Sequence, residues 1–326
     1  MNISVIVPSY NHQDFVIQCL NSVIVNKVTG MELLICDDCS TDNSVQIIEK
    51  WLCENAAQIE KVSFVKHNCN SGIAATLNEM IALSSGKLIS AIASDDYYLK
   101  DGISARVSAM NLNPQWIGAC SDGTAIGNNG ELYFKSIAVG EGFKEKEFNR
   151  SNICKTILTK WTGPMNLQIW RRAAFKNHGG NFEFNESIFC EDLDFALWAL
   201  SEKSFGYINH QCVAYRYRSW PQSNPQDSRS KVKKKYVDMA NCYVKHAQNF
   251  NQKNKSYMIL KAKYLMAVAE DNTILQRKYH ARICDGPLNR IQIIARRIKM
   301  AVSMPFLKIY HDFKWWKQNY RKRLLG

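Results

Sequence analysis

The sequence predicts an α/β protein with a mostly parallel central sheet, helices on its faces and a basic helical extension behind it. Three observations carry that prediction. Short β-rich runs alternate with helical patterns at roughly 30-residue intervals, the length of a βαβ unit with its right-handed crossover. Two of the runs, LLICDD and LISAIASDD, end on acidic pairs, Asp37-Asp38 and Asp95-Asp96. From about residue 230 onward the strand signals stop and the pattern is helical.

The elements follow in order. Residues 3–7, Ile-Ser-Val-Ile-Val, read as a first strand stopped by Pro8. Phe15, Cys19, Leu20 and Val23 then share one face of a helix. The run 33–36 is a second strand, and Ser40-Thr41-Asp42 behind it signals a helix start, with Val45, Ile48 and Leu52 turned inward. A third strand is expected at 62–66, a helix near 73–84 and a fourth strand at 88–93. After residue 115 the rhythm changes. Residues 117–121 suggest a strand, Asn128-Asn129-Gly130 a hairpin turn, and 163–172 and 205–217 further strands, with a helix starting near Glu191. The segment 219–230, with Pro221 and Pro225, reads as a linker or loop. The expected division is an α/β domain over 1–220, in halves 1–115 and 116–220, and a basic helical region over 221–326.

Composition sets bounds. The chain has 326 residues, 46% of them hydrophobic and 22% charged, which is ordinary for a globular protein. Its net charge is +13, and residues 286–326 hold ten Lys or Arg against one acid. Basicity is thus mainly a property of the tail, which points to an acidic surface as its partner. Eleven cysteines without framework spacing read as reduced thiols and a cytoplasmic setting. Cys36 and Cys39 form a Cys-x-x-Cys with no second pair for zinc, and a strand end that happens to carry thiols accounts for it. No secretory signal and no membrane-spanning run is expected from the sequence.

In an open α/β sheet, ligands bind at the carboxyl ends of the strands. The loops Ser9-Tyr10-Asn11, Asp37-Asp38, Asn68 to Gly72 and Asp95-Asp96 should therefore open on one edge. Asp38 can accept a hydrogen bond from an N–H donor such as N3–H of uracil, or cap the helix near Ser40, and its position alone leaves both open. Adjacent Asp95 and Asp96 repel and call for a divalent cation or deep hydration, the ordinary alternative being a solvated turn. Glu191, Asp192 and Asp194 open a helix, where acids complement the dipole; one of them can equally serve as a general base for a hydroxyl nucleophile. Arg171, Arg172 and Lys176 precede that helix and read more simply as a solvated face than as phosphate ligands.

These clusters resemble, in this order, the family 2 glycosyltransferases of the GT-A fold, a Rossmann-like sheet with flanking helices. The matching stretches are SVIVPSYN (4–11), ELLICDDCSTDNS (32–44), NSGIAATLNEMI (70–81), ASDD (93–96) and GGNFEFNESIFCEDLDF (179–195), within roughly two-thirds of the chain. The resemblance implies roles position by position. Pro8, Tyr10 and Asn11 match the first nucleotide loop, Asp38 the acid that meets the base, and Gly72 and Asn78 the segment that closes over the nucleotide. Asp95 matches a residue near ribose and metal, Asp96 the metal-binding acid, Asp192 the catalytic base, and Glu191 a neighbour lining the acceptor site. Arg218 stands where many relatives carry a His; it cannot ligate a cation but can pair with phosphate.

What the resemblance implies about function is an inverting transfer of a hexosyl or N-acetylhexosaminyl group from a nucleotide-sugar, with a UDP-sugar expected and Mn²⁺ or Mg²⁺ as cofactor. The acceptor implied is a saccharide, lipid-linked, in a surface-polysaccharide pathway such as O-antigen or capsule. Transfer to a protein or a lipid phosphate, or a non-catalytic basic binding protein with a nucleotide fold, are the alternatives. Two stripes in the tail, Leu288 to Val302 and Phe306 to Tyr320, carry apolar residues at helical spacing amid Lys and Arg, with Trp315 and Trp316 in the second. Such helices fit an anionic membrane surface, or dock on the protein's own core. The first reading expects a peripheral position on the inner face of the cytoplasmic membrane. No nucleic-acid-binding motif accompanies the charge, so nucleic acid is not an expected partner.

Overall fold

Every residue of β1 (Ile3–Ser9) and β2 (Met31–Asp37) is buried, and this decides the layout. Strands covered on both faces need helices above and below them, the setting of a parallel sheet. The computed structural model describes residues 2–140, 153–159, 164–217 and 225–284. β1 pairs in parallel with β2 on one side and β4 (Leu88–Ala91) on the other, and β3 (Lys61–Lys66) pairs in parallel with β2. The crossovers carry α1 (Val16–Val25), α2 (Ser44–Asn55) and α3 (Ile73–Leu83). α1 buries Val16, Cys19, Leu20 and Val23, the face that the sequence periodicity marks. The α2 ridge is completed by Trp51, whose indole N–H donates to Asn21 Oδ1 on α1 at 2.8 Å. The fourth strand ends two residues earlier than its apolar run suggests. Beyond Ala91 the chain still follows β1, with Ile92 N donating to Ile6 O at 3.0 Å and Ser94 N to Pro8 O at 3.2 Å.

The second half extends the same sheet with mixed pairing. The strand order is β3-β2-β1-β4-β8-β6-β9-β5, with β7 beside β6. β8 (Gln168–Arg171) runs antiparallel to both β4 and β6 (Gly118–Ile126). β9 (Phe205–Arg216) is parallel to β6 and antiparallel to β5 (Tyr97–Tyr98). The expected hairpin joins β6 to β7 (Leu132–Phe134). Among the described residues the remaining helices are α4 (Gly102–Leu112), α5 (Ile137–Gly140), α6 (Ile153–Thr159), α7 (Glu191–Ser201), α8 (Pro225–Ala247), α9 (Gln252–Ala269) and α10 (Thr273–Cys284).

Two devices hold the halves in place. At the amino-terminal edge of the sheet the fully buried Glu32 accepts from Ser4 Oγ, Ser85 Oγ at 2.6 Å and Gly86 N at 3.0 Å, and pairs with Lys61 at 2.9 Å. One carboxylate thus ties β1, β2, β3 and the turn into β4. Behind α7, Trp170, Phe175, Phe182, Phe184, Phe195 and Trp198 form a cluster with neighbouring ring centroids 5.0–6.4 Å apart. Tilted and edge-to-face pairs of this kind add about 0.5–1.5 kcal/mol each beyond the area they bury. Much of the GGNFEFNE motif is therefore core, because Phe182 and Phe184 point inward.

Arg171 and Arg172 are neither phosphate ligands nor a solvated face. Arg171 donates to the carbonyls of Met110, Asn113 and Trp116, and Arg172 to that of Ser84. These carbonyls lie at or just beyond the ends of α4 and α3, where cations are favoured and orphan acceptors need donors. Among the described residues, no helix is long and apolar enough to cross a membrane. The basic tail and Arg218 lie outside the described residues, as does much of the expected linker.

Candidate active site

The four expected loops do meet at one edge, and backbone bonds join them. Asp38 N donates to Ser9 O at 2.8 Å, and Ser94 N to Pro8 O. Asn11 adopts a left-handed conformation, φ 55°, one that Asn tolerates better than most residues. Its N–H donates to Ser40 Oγ at 2.8 Å and its side-chain oxygen accepts from Thr41 N at 2.8 Å. The loop after β1 is thereby stitched to the loop after β2, and Tyr10 stands out to solvent.

The two adjacent acids Asp37 and Asp38 divide their work. Asp37 holds the turn: its carboxylate accepts from Ser40 N and Ser40 Oγ, both at 2.7 Å. Asp38 turns instead to the loop before α3. Ser71 N donates to its Oδ1 at 2.7 Å and Gly72 N to its Oδ2 at 2.8 Å, while His67 Nδ1 lies 2.7 Å from Oδ1. The Ser40 turn is thus held by Asp37, while the Asp38 carboxylate bonds the loop before α3. Gly72 has φ 84° and ψ 161°, a region open essentially to glycine alone, so the turn that aims its N–H needs this residue. Burial disfavours charge on His67, yet its bonds to Asp38 and to Glu79 outweigh that and raise its pKa. Asn78 faces the other way along α3; its amide bonds Phe184 O and Glu186 Oε1 and accepts from Phe184 N.

Asp95 and Asp96 follow β4. Asp96 is buried, and its oxygens accept from Arg216 N at 2.6 Å and from Asn166 Nδ2. Burial and the adjacent Asp95 push its pKa well up, against the pull of those donors. Asp95 is half-buried, with His12 Nδ1 3.7 Å from its Oδ1. Arg216, at the last position of β9, frames the pair. Its guanidinium donates to the carbonyls of Asp95, Gly127 and Asn128 and to Gln18 Oε1, and lies 4.5 Å from the Phe15 ring centroid.

The third cluster opens α7. Glu191 is buried and Asp192 half-buried. Burial and the charge of Asp192 push Glu191 up to about 8. Burial lifts Asp192 to about 6, opposed by the Leu193 N–H and the charge of Lys235 on α8. Asp194, the last acid of the motif, is structural. It binds His246 Nε2 at 2.7 Å and Lys245 Nζ at 2.9 Å, pinning α7 to α8.

The acids after β4 and those of α7 share neighbours. The backbone of Met165 bonds the Asp192 carboxylate, and the next residue, Asn166, bonds Asp96. Tyr215 on β9 is raised by burial and by the charges of Asp96, Asp95 and Asp192 together. Asn166, Arg216 and His67 escaped the sequence reading. Asn166 lies in a 3-10 turn with no pattern of its own, and Arg216 looks like any polar residue in an alternating strand.

Comparison with known proteins bears on the family and the fold. The model of the glycosyl transferase family 2 matches residues 4–177, more than half of the chain. Chondroitin synthase of Escherichia coli is 23% identical over 211 residues, covering 64% of this chain but only 28% of the synthase, so this chain spans less than a third of that relative's length. Among solved structures, S. aureus TarS 1–349 in complex with UDP superposes with a TM-score of 0.57 at 19% identity, over 83% of this chain and 71% of that one. The mannosyltransferase PcManGT from Pyrobaculum calidifontis, in complex with GDP-Man and Mn²⁺, gives 0.58 at 16% identity, over 94% and 82%. These likenesses show the GT-A fold, and with the family match they establish that this chain belongs to glycosyl transferase family 2.

Proposed function

We propose that this chain transfers a sugar from a nucleotide-sugar, a UDP-sugar in the first instance, to a hydroxyl of a lipid-linked saccharide during assembly of a surface polysaccharide. The observation that carries the reading is the convergence of Asp95-Asp96 and Asp192 on Met165, Asn166 and Tyr215, at the edge where Asp38 follows β2.

Each residue has a part that its surroundings support. Asp38 Oδ1 is taken by His67 and Ser71, while Oδ2 accepts only from Gly72 among the described residues. Oδ2 thus keeps acceptor capacity for an imide N–H such as N3–H of uracil. Pro8, Tyr10, Asn11 and Gly72 shape the loops around that base. Among the described residues each oxygen of Asp96 receives one hydrogen bond and retains a lone pair, and Asp95 adds a second carboxylate. An all-oxygen donor set of this kind fits Mn²⁺ or Mg²⁺. When bound, the cation neutralises charge on the departing diphosphate. Asp192 takes the proton of the acceptor hydroxyl, which attacks the anomeric carbon opposite the leaving group and inverts its configuration. Glu191, protonated up to about pH 8, stands beside it as a hydrogen-bond donor to the acceptor. Exposed Lys231, Lys233 and Lys235 at the start of α8 favour an acceptor with phosphate or carboxylate groups. The basic tail holds the protein at the anionic membrane face where such acceptors reside.

The test is incubation of the purified chain with UDP-sugars and polyprenyl-diphosphate saccharides, with Mn²⁺ or with EDTA. Metal-dependent nucleotide release and a product of inverted anomeric configuration are expected. Absence of release with UDP-, GDP- and dTDP-sugars alike, or retention of configuration, would overturn the reading.

A further inference from the structure

Behind the base-binding loop three unlike side chains converge from three elements. Cys36 is the penultimate residue of β2, His67 follows β3, and Glu79 lies on α3. His67 Nε2 is 3.3 Å from Cys36 Sγ and 2.7 Å from Glu79 Oε2, and the three ligand atoms all lie within 4.8 Å of one another. The ring's other nitrogen lies against Asp38 Oδ1, and Asp38 is itself held by the N–H groups of Ser71 and Gly72.

We propose that Cys36, His67 and Glu79 form a zinc site that fixes the loop carrying Asp38, chemically separate from the carboxylate pair after β4. A ring nitrogen between a sulfur and a carboxylate can carry only one proton, and that proton serves one neighbour at a time. A single divalent ion in its place serves all three. The donor set decides which ion. Thiolate, imidazole and carboxylate together suit a borderline-soft, tetrahedral metal, whereas Asp95 and Asp96 offer hard oxygen only. Ligand atoms around tetrahedral Zn²⁺ stand about 3.4–3.6 Å apart. The Cys36–His67 separation already approaches that spacing. Glu79 must withdraw by about 0.7 Å, which it can do because its side chain is 44% exposed. That exposure also leaves the fourth position to water.

Asp38 supplies the outer support such sites use, since a metal-bound imidazole commonly gives its remaining N–H to a carboxylate. With the ion on Nε2, His67 keeps its proton on Nδ1 and donates it to Asp38. The carboxylate stays oriented for its ligand. Zinc at this site would thereby tie β2, β3 and α3 together around the base pocket.

The experiment is direct titration of the full chain, stripped of metal and held in excess Mg²⁺, with Zn²⁺ and with Co²⁺ as a spectroscopic probe. One equivalent of Zn²⁺ should bind despite the Mg²⁺. Co²⁺ should give the visible bands of tetrahedral geometry and a near-ultraviolet thiolate charge-transfer band. Cys36→Ser should abolish the thiolate band, and Glu79→Gln, on the exposed face of α3, should weaken Zn²⁺ binding by at least about tenfold. Asp96→Asn should leave both bands in place, so the result does not depend on sugar transfer. An octahedral Co²⁺ spectrum, a thiolate band that survives Cys36→Ser, or Zn²⁺ affinity indifferent to Glu79→Gln would overturn the proposal.

Discussion

Glu32 and the pair Glu191-Asp192 are buried or half-buried carboxylates whose surroundings give them opposite characters. Glu32 sits at the amino-terminal edge of the sheet; although burial alone would raise its pKa, donors from Ser4, Ser85 and Lys61 bring it down to about 2. Glu191 and Asp192 have few donors to set against burial, and they rise to about 8 and about 6. The difference is one of satisfaction. A carboxylate whose lone pairs are filled by the protein is a fastener, and one left short of donors is available to a ligand or a proton.

Asp192→Asn probes that contrast most strongly. Transfer should fall about 10²–10⁴-fold, the usual contribution of a positioned base, while the melting temperature at pH 7 stays equal or rises. A loss under tenfold in initial-rate assays would break the contrast. Glu32→Ala should do the reverse, lowering unfolding free energy by about 2–4 kcal/mol because buried hydroxyl and backbone donors lose their acceptor. Urea titration measures it; a midpoint equal to that of the unaltered chain would show that the clamp is dispensable.

The smallest effect concerns pH. Stability from Glu32 is present above its unfolded pKa, near 4.5, and is lost as pH falls through about 2. The raised pair works the other way: its contribution is complete below ~4 and is lost as pH rises through about 6 and then about 8. Glu191→Gln should therefore stabilise the chain at pH 9 by on the order of 1–2 kcal/mol and leave it unchanged below ~pH 4. In kcat/KM profiles the same substitution should remove an alkaline limb near 8 and keep the acid limb near 6, as apparent values of a coupled pair.

Much of this was legible beforehand, and for identifiable reasons. In the first half, apolar strands of parallel type and short βα loops put Ser9, Asp38, Gly72 and Asp95 on one edge by topology alone. Local pattern and global fold agree there. The second half resisted because its contributions come from long-range pairing. β8 and β9 run between β4 and β5 from the far side of the sequence, bringing Asn166 and Arg216 to acids 70 and 120 residues away. No periodicity reports such a meeting. Arg218, singled out because it stands where many relatives carry a His, lies outside the described residues, whereas Arg216 two residues earlier, whose guanidinium lies 4.5 Å from the Phe15 ring centroid, matched no motif. His67 was passed over because a lone histidine at a strand end has no signature until Cys36, Asp38 and Glu79 surround it.

The Arg216 bond network also dictates an order of assembly. The backbone N–H that orients Asp96, and the guanidinium that gathers the Gln18 side chain with the Asp95, Gly127 and Asn128 carbonyls, belong to a residue synthesised long after those acids. A nascent chain halted before β9 would hold Asp95, Asp96 and Asn166, but would lack the Arg216 N–H on Asp96 and the guanidinium on the Asp95 carbonyl. The full orientation of the acids after β4 therefore waits until β9 has paired beside β6.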